Sequence, residues 1–164
     1  MTRLLLPLVM LLATGCRVNY SFTGGDVGEA RTVSVDLFEA RAPLATPNSA
    51  QTFTETLRDV LLAQTPLKLA REDGDVRYSG TVTGYDVQPV NIQANETAAL
   101  NRLTITVSVT YMNSLDAKKN AEFSVSRFAD YDSSQDLVSV EDGLVRDISK
   151  QLAQDIFDRT LGNW

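Results

Sequence analysis

The side chains that could carry out chemistry are few in this sequence. It contains no histidine, which excludes Ser-His-Asp and Cys-His nucleophilic catalysis and removes the commonest metal ligand. Asp130 and Asp132 could form a carboxylate pair, but we interpret them as polar residues of a strand end and turn. A hydrolase that used such a pair would need two carboxyl groups facing each other in a cleft. The sequence therefore predicts a protein that is not an enzyme and uses no metal or cofactor.

Three arginines are the candidate residues for binding a ligand or partner. Arg77, Arg102 and Arg127 lie on or beside predicted strands. If those strands adjoin, the guanidinium groups could form a patch for a phosphate-bearing lipid, because their geometry matches phosphate. The alternative is that each is an isolated charge paired with a carboxylate. Arg127 shares the apolar face of its strand, so we expect it at a sheet rim or in a polar partner contact. The net charge of −6 opposes a nucleic-acid partner, which requires a basic surface.

The N-terminal residues predict a targeting segment. Residues 4–12 form an apolar run that is too short to span a hydrocarbon core of about 30 Å but has the length of a signal-peptide core. Small residues then lead to Cys16, the only cysteine of the chain. The pattern resembles the lipobox of bacterial lipoproteins, in which a peptidase cuts before the cysteine and the cysteine carries the lipid, although Ala13 stands where leucine is usual. The alternative is a free or buried thiol in a secreted protein. We predict a signal peptide over residues 1–15, a lipidated tether over 16–31 and a single domain over 32–164.

The elements that must position these residues begin with a central strand. Over residues 103–111, apolar and hydroxyl-bearing side chains alternate, which places Leu103, Ile105, Val107, Val109 and Tyr111 on one face. Shorter alternating stretches predict strands over residues 32–38, 76–87 and 122–131. A β-bulge near Gly84 would keep both halves of the second stretch on the core side. We expect residues 67–71 to be a short edge strand or a lead-in, and residues 89–99 to be a loop.

Two amphipathic helices complete the predicted fold. The first begins either with Thr46 as the cap and proline at the first helical position, or at Asn48, and it ends before Pro66. The second covers residues 139–161 and begins with a capping box formed by Ser139 and Asp142. Because the predicted sheet has only one apolar face, the simplest arrangement is that both helices pack their apolar stripes against that face. The prediction is an α+β two-layer sandwich, with two helices on one face of a roughly four-stranded mixed sheet.

Four segments of the chain carry a family resemblance. They are residues 21–25 shortly after the lipidation cysteine, 51–55 in the first helix, 95–105 leading into the central strand, and 140–164 at the C-terminus. Together they resemble the LptE family of lipopolysaccharide-assembly lipoproteins, in the form found in Bacteroidetes. The resemblance implies two helices on a four-stranded sheet and no enzymatic activity. It also implies an anchor in the inner leaflet of the outer membrane, on the periplasmic side.

The resemblance implies a partner as well. LptE proteins sit as a plug inside the large β-barrel LptD, help that barrel to assemble, and with it deliver lipopolysaccharide to the outer leaflet. Some members also bind lipopolysaccharide, although the acidic charge of this chain does not favour an anionic ligand. We expect Asn95, Arg102 and the loop around them to contact the barrel. The alternative function is a lipoprotein that carries a lipid or glycolipid, which would need a cavity between the sheet and the helices.

Overall fold

The computed structural model describes residues 25–90 and 99–162, which form one mixed sheet covered on one face by two helices. Five of the elements, three strands and two helices, have at least 12 residues each, and the remaining strands are short. In chain order the elements are β1 (Thr32–Val35), β2 (Glu39–Ala40), α1 (Pro47–Gln64), β3 (Lys68–Leu69), β4 (Val76–Val90), β5 (Leu100–Asn113), a 3-10 turn (Ala117–Lys119), β6 (Ala121–Asp132) and α2 (Leu137–Leu161).

The sheet has six strands where the sequence indicated about four. Its order is β3-β1-β4-β5-β6, and β2 pairs with β4 beyond the end of β1. Strand β1 runs parallel to β3 and β4, whereas β4, β5 and β6 form an antiparallel meander. The α+β class and the mixed sheet are therefore confirmed. The count was wrong because β2 and β3 each contain only two residues, which is too few to produce an alternating pattern.

The predicted β-bulge lies in the middle of β4. Val82 pairs with Val107 and Gly84 pairs with Thr106, so Thr83 is an extra residue on the β4 side. An extra residue changes the parity of the strand, and the side chains before and after it can then point to the same face. Val82 and Tyr85 are accordingly both buried. The bulge therefore keeps the buried residues before it, Val76, Tyr78 and Val82, on the same side of the sheet as Tyr85 after it.

Helix α1 begins at the first of the two predicted starts. The hydroxyl of Thr46 accepts a hydrogen bond from the backbone N–H of Ser49 at 3.1 Å, and the hydroxyl of Ser49 accepts one from the N–H of Thr46 at 3.2 Å. This reciprocal capping box leaves Pro47 at the first helical position, where a missing N–H costs nothing. Helix α1 buries Phe53, Leu57 and other apolar residues of one stripe, as the spacing predicted.

Helix α2 begins at Leu137, two residues before the predicted start. The proposed capping box of Ser139 and Asp142 was wrong, because the cap residue is Asp136, whose carbonyl accepts a hydrogen bond from the Ser139 hydroxyl at 2.6 Å. The buried stripe includes Ile148, Leu152 and Ile156, each of which is fully buried. None of the helices in residues 25–90 and 99–162 combines the length and the apolar character needed to cross a bilayer.

The segment before β1 is attached to the ends of both helices. The N–H of Gly25 donates to the carbonyl of Gln64 at 3.3 Å, and the N–H of Asp26 donates to the carbonyl of Leu161 at 2.7 Å. A Cβ atom at position 25 would approach the side chains of Phe157 and Leu161 to within 2.9 Å, so only glycine fits there without a shift. The last part of the predicted tether is therefore packed against the domain.

Candidate functional site

The sheet presents a polar surface on the side away from the helices, which we call the open face. Its members are the side chains of β4, β5 and β6 that alternate with the buried ones, and they are partly or fully exposed. The cross-strand register makes the middle of this face a continuous field of hydroxyl groups, formed by Ser79, Thr81, Thr104, Thr106, Ser108, Thr110, Ser124 and Ser126. The hydroxyls of Thr106 and Ser126 lie 3.0 Å apart. Charged and apolar side chains occur only at the two ends of this field.

Arg102 forms a three-residue cluster at the end of the open face nearest the β4–β5 connection. Its Nε and Nη2 atoms donate to the two carboxylate oxygens of Asp130 at 2.7 and 2.8 Å. Its guanidinium also lies 3.6 Å from the ring centroid of Phe128, whose side chain is 47% exposed. The hydrogen bond from Arg102 lowers the pKa of Asp130 below its usual value. Asp130 orients the Arg102 guanidinium over the exposed ring of Phe128, and this cation–π contact distinguishes the cluster from the rest of the open face.

Arg77 lies at the opposite end of the same face. Arg77 is paired with Met112 on β5, ten residues along that strand from Arg102, which corresponds to about 33 Å. Its Nη2 atom donates to the carboxylate of Asp36 at 2.7 Å, and this hydrogen bond raises the pKa of Arg77. Arg77 and Arg102 therefore cannot bind one phosphate group together.

Arg127 lies on the other side of the sheet, facing the helices. Its Nε and Nη2 atoms donate to the two carboxylate oxygens of Asp155 on α2 at 2.5 and 2.6 Å. The sequence predicted the face correctly, but the partner is 28 residues away and has no local signal. The structure thus separates the three arginines, each with its own carboxylate, and does not assemble them into one patch.

Two of the predicted site residues, Cys16 and Asn95, lie outside the described residues. Their expected roles, in lipid attachment and in partner contact, remain predictions. Asn95 belongs to the connection between Val90 and Leu100, which are paired neighbours at the ends of β4 and β5.

The carboxylates that could have suggested catalysis have structural partners. Asp130 lies within β6 and is bound by Arg102, whereas Asp132 accepts hydrogen bonds from the N–H and the hydroxyl of Ser134. The hydroxyl of Tyr85 donates to Glu141 on α2 at 2.5 Å, a contact that the sequence did not indicate. The pKa of Tyr85 is raised, mainly by burial and to a smaller extent by this hydrogen bond. Within the described ranges, no group of three or more Cys, Asp or Glu residues is placed to hold a metal ion.

The domain has an apolar core packed between its two layers and an open, hydroxyl-rich sheet face. The family comparison is specific. The model of the family described as LptE, lipopolysaccharide-assembly, matches residues 30–160, and this chain belongs to that family. It is therefore a member of a family of lipopolysaccharide-assembly lipoproteins that are not enzymes.

Solved structures of other lipoproteins share the fold. A minor lipoprotein of Acinetobacter baumannii is similar with a TM-score of 0.53 at 16% identity, over 82% of this chain and 94% of that chain. The rare lipoprotein B of Shewanella oneidensis gives a TM-score of 0.51 at 13% identity, over 78% and 92% of the two chains. At these identities the likeness concerns the fold alone. No curated protein sequence matches this chain significantly.

Proposed function

We propose that this protein is the lipoprotein subunit of a lipopolysaccharide translocon in the outer membrane. A lipid on Cys16 anchors it on the periplasmic side, and the folded domain plugs an LptD-type β-barrel and helps that barrel to assemble. The family assignment over residues 30–160 supports the general role. The observation that carries the specific role is the open face, because its composition suits the interior of such a barrel.

The physical argument concerns the environment inside a large barrel. The lumen of an outer-membrane barrel is polar and filled with water. A domain that fits there needs hydroxyl, amide and mixed charged groups on its surface, and it cannot present a large apolar patch. The eight hydroxyl-bearing side chains of the open face meet this requirement. A hydroxyl group is uncharged and can either donate a hydrogen bond to a partner group or accept one from it.

The proposed contact is centred on the end of the open face that carries Arg102. Asn95 belongs to the connection at this end, and the exposed ring of Phe128 provides apolar area beside an oriented guanidinium. Aromatic and arginine side chains are the residues that most often dominate binding energy at interfaces. Arg77 and Arg127 are proposed as weaker contacts, because neither lies over an exposed aromatic ring as Arg102 does, and Arg127 is on the helix side of the sheet.

The alternative function, a carrier of lipid or glycolipid, would require a cavity between the two layers. That space is filled by apolar side chains of both helices and of the sheet, among them Leu57, Val107 and Leu152, which are all fully buried. An acyl chain would have to displace several of them, and each such side chain contributes about 1.5–3 kcal/mol by its burial. The packing therefore favours the assembly role, and any lipopolysaccharide contact in our proposal is confined to the surface arginines.

The decisive experiment is a pull-down of the detergent-solubilised lipoprotein from its own envelope. We expect a large β-barrel to be recovered with the wild-type protein and with a Gln151→Ala control, which changes an exposed residue of α2. We expect less barrel with Arg102→Ala and with Asn95→Ala. Undiminished recovery with both variants would count against the proposed contact, and recovery of lipid without any barrel would support the carrier function instead.

A further inference from the structure

Strand β6 forms one edge of the sheet over its whole length. Its 12 residues pair with β5 in an unbroken register from Ala121 opposite Tyr111 to Asp132 opposite Leu100. Within the described part of the chain, no strand pairs with the other side of β6. The opposite edge of the sheet is different, because it ends in β3, which has only two residues. That edge is stepped, since it continues through the two residues of β2 and the part of β4 beyond Val82, whereas β6 forms one unbroken edge strand of 12 residues.

The β6 edge lacks several of the features that usually protect an edge strand. It contains no proline, lysine or bulge and is not short, so its protection rests on its charged side chains, among them the inward-facing Arg127 that Asp155 neutralises. Helix α2 covers only its inner face, where Arg159 lies over the ring of Phe123 and Asp155 binds Arg127. A long row of backbone N–H and C=O groups thus faces outward in a position where another extended chain could pair with it.

We propose that the β6 edge binds an extended segment of the barrel polypeptide as an additional strand of this sheet. The proposal rests on the proposed function and identifies where on the lipoprotein the partner pairs. A closed barrel wall has no free edges of its own, because each of its strands is already paired on both sides. The segment must therefore come from a loop that the barrel chain extends into its lumen.

Charge distinguishes this partner from a second copy of the protein. On the open-face side, β6 carries three carboxylates, Glu122, Asp130 and Asp132, and no cation of its own. In a symmetric antiparallel pair of β6 strands, residues opposite each other lie on the same face, so no register could place a carboxylate opposite a cation. Because Arg102 already neutralises Asp130, Glu122 is the residue that we expect to select a lysine or arginine on the incoming segment.

Hydrogen exchange of the purified barrel–lipoprotein complex tests the proposal. In the free lipoprotein, alternate amides of β6 bond to β5 and exchange slowly, whereas those between them face outward and exchange fast. We expect the outward amides to exchange at least about tenfold more slowly in the complex. An intact complex whose outward β6 amides keep the free rate would overturn this inference alone. Failure to recover any barrel would overturn the proposed function as well. If the outward amides of β6 exchanged more slowly at higher lipoprotein concentration in the absence of any barrel, the partner strand would be a second copy of this protein, and the proposal would be contradicted.

A charge reversal at the edge provides an independent measurement. We expect Glu122→Lys to reduce the amount of barrel recovered by about two- to fivefold, which is the range of one cross-strand ionic contact. The matched control is Glu55→Lys, which reverses an exposed carboxylate on the outer side of α1. Equal recovery for the two variants would exclude a cation opposite Glu122. Thermal unfolding of both variants, measured in parallel, separates a loss of binding from a loss of folding.

Discussion

Replacing Tyr111 by phenylalanine should stabilise this protein, whereas the same replacement of Tyr78 should destabilise it. The two residues are cross-strand partners on β4 and β5, their ring centroids are 5.0 Å apart, and both side chains are buried. Their hydroxyl groups differ. The Tyr78 hydroxyl lies 2.8 Å from that of Thr160, which itself donates to the carbonyl of Ile156, so Tyr78 must be the donor. The Tyr111 hydroxyl is buried, and no contact with it, including that from the neighbouring Asn113 side chain, has hydrogen-bond geometry within the described residues.

The expected magnitudes follow from this difference. Removing the Tyr78 hydroxyl loses one hydrogen bond inside the core, which costs about 0.5–1.5 kcal/mol of unfolding free energy. Removing the Tyr111 hydroxyl relieves the desolvation of an unsatisfied polar group, which contributes about 1–3 kcal/mol in the opposite direction. The ring volume and the tilted contact of the two rings are retained in both variants. We therefore expect the free energies of unfolding of the two variants to differ by about 1.5–4.5 kcal/mol.

Urea unfolding of the two variants and the wild type, with a thermal melt of each, measures this difference. A gap of about 2 kcal/mol corresponds to a separation of about 4–8 °C in Tm for a chain of this size. The wild type should lie between the variants. If Tyr111→Phe lost as much stability as Tyr78→Phe, the Tyr111 hydroxyl would have to be hydrogen-bonded after all, and the reasoning from its isolation would be refuted.

Two further predictions concern contacts that join distant parts of the chain. The hydroxyl of Thr54 accepts a hydrogen bond from the buried N–H of Phe38 at 3.1 Å, so Thr54→Val should cost about 1–3 kcal/mol, and Thr54→Ser, which retains the hydroxyl, should lose less in the same urea titration. Asp75 accepts hydrogen bonds from the N–H of Arg31 and from the hydroxyl and N–H of Thr32, which lower its pKa below 3.8. A lowered carboxyl pKa contributes stability that is present above the unfolded value and is lost as the pH falls toward the folded one. Acid titration of unfolding should therefore show a shallower loss of stability below about pH 4 in Asp75→Asn than in the wild type.

The long antiparallel strands and both helices could be predicted from the sequence because their signals are local and repeated. The alternation over residues 103–111 and the bulge at Gly84 each follow from the side-chain period of a strand, which the chain records directly. The start of α2 was predicted wrongly because the hydroxyl of Ser139 donates to the backbone carbonyl of Asp136. From the sequence alone, a serine in this role cannot be distinguished from a serine that caps the helix. The carboxylate partners of Arg102 and Arg127 are each 28 residues away, and only the fold brings them together.

The two faces of the sheet explain how one domain can be stable and still leave a surface free for a partner. From Leu103 to Tyr111 every second residue of β5 is buried under the helices, and those side chains, with the stripes of α1 and α2, form the core. The residues between them contribute few core contacts, so polar substitutions on the open face should change unfolding by no more than about 0.5 kcal/mol. Under the proposed function, stability and recognition are encoded in alternate residues of the same strands. Arg102→Ala removes the ion pair with Asp130 but no core contact, so it can report on partner contact with a smaller loss of stability than a core substitution would cause.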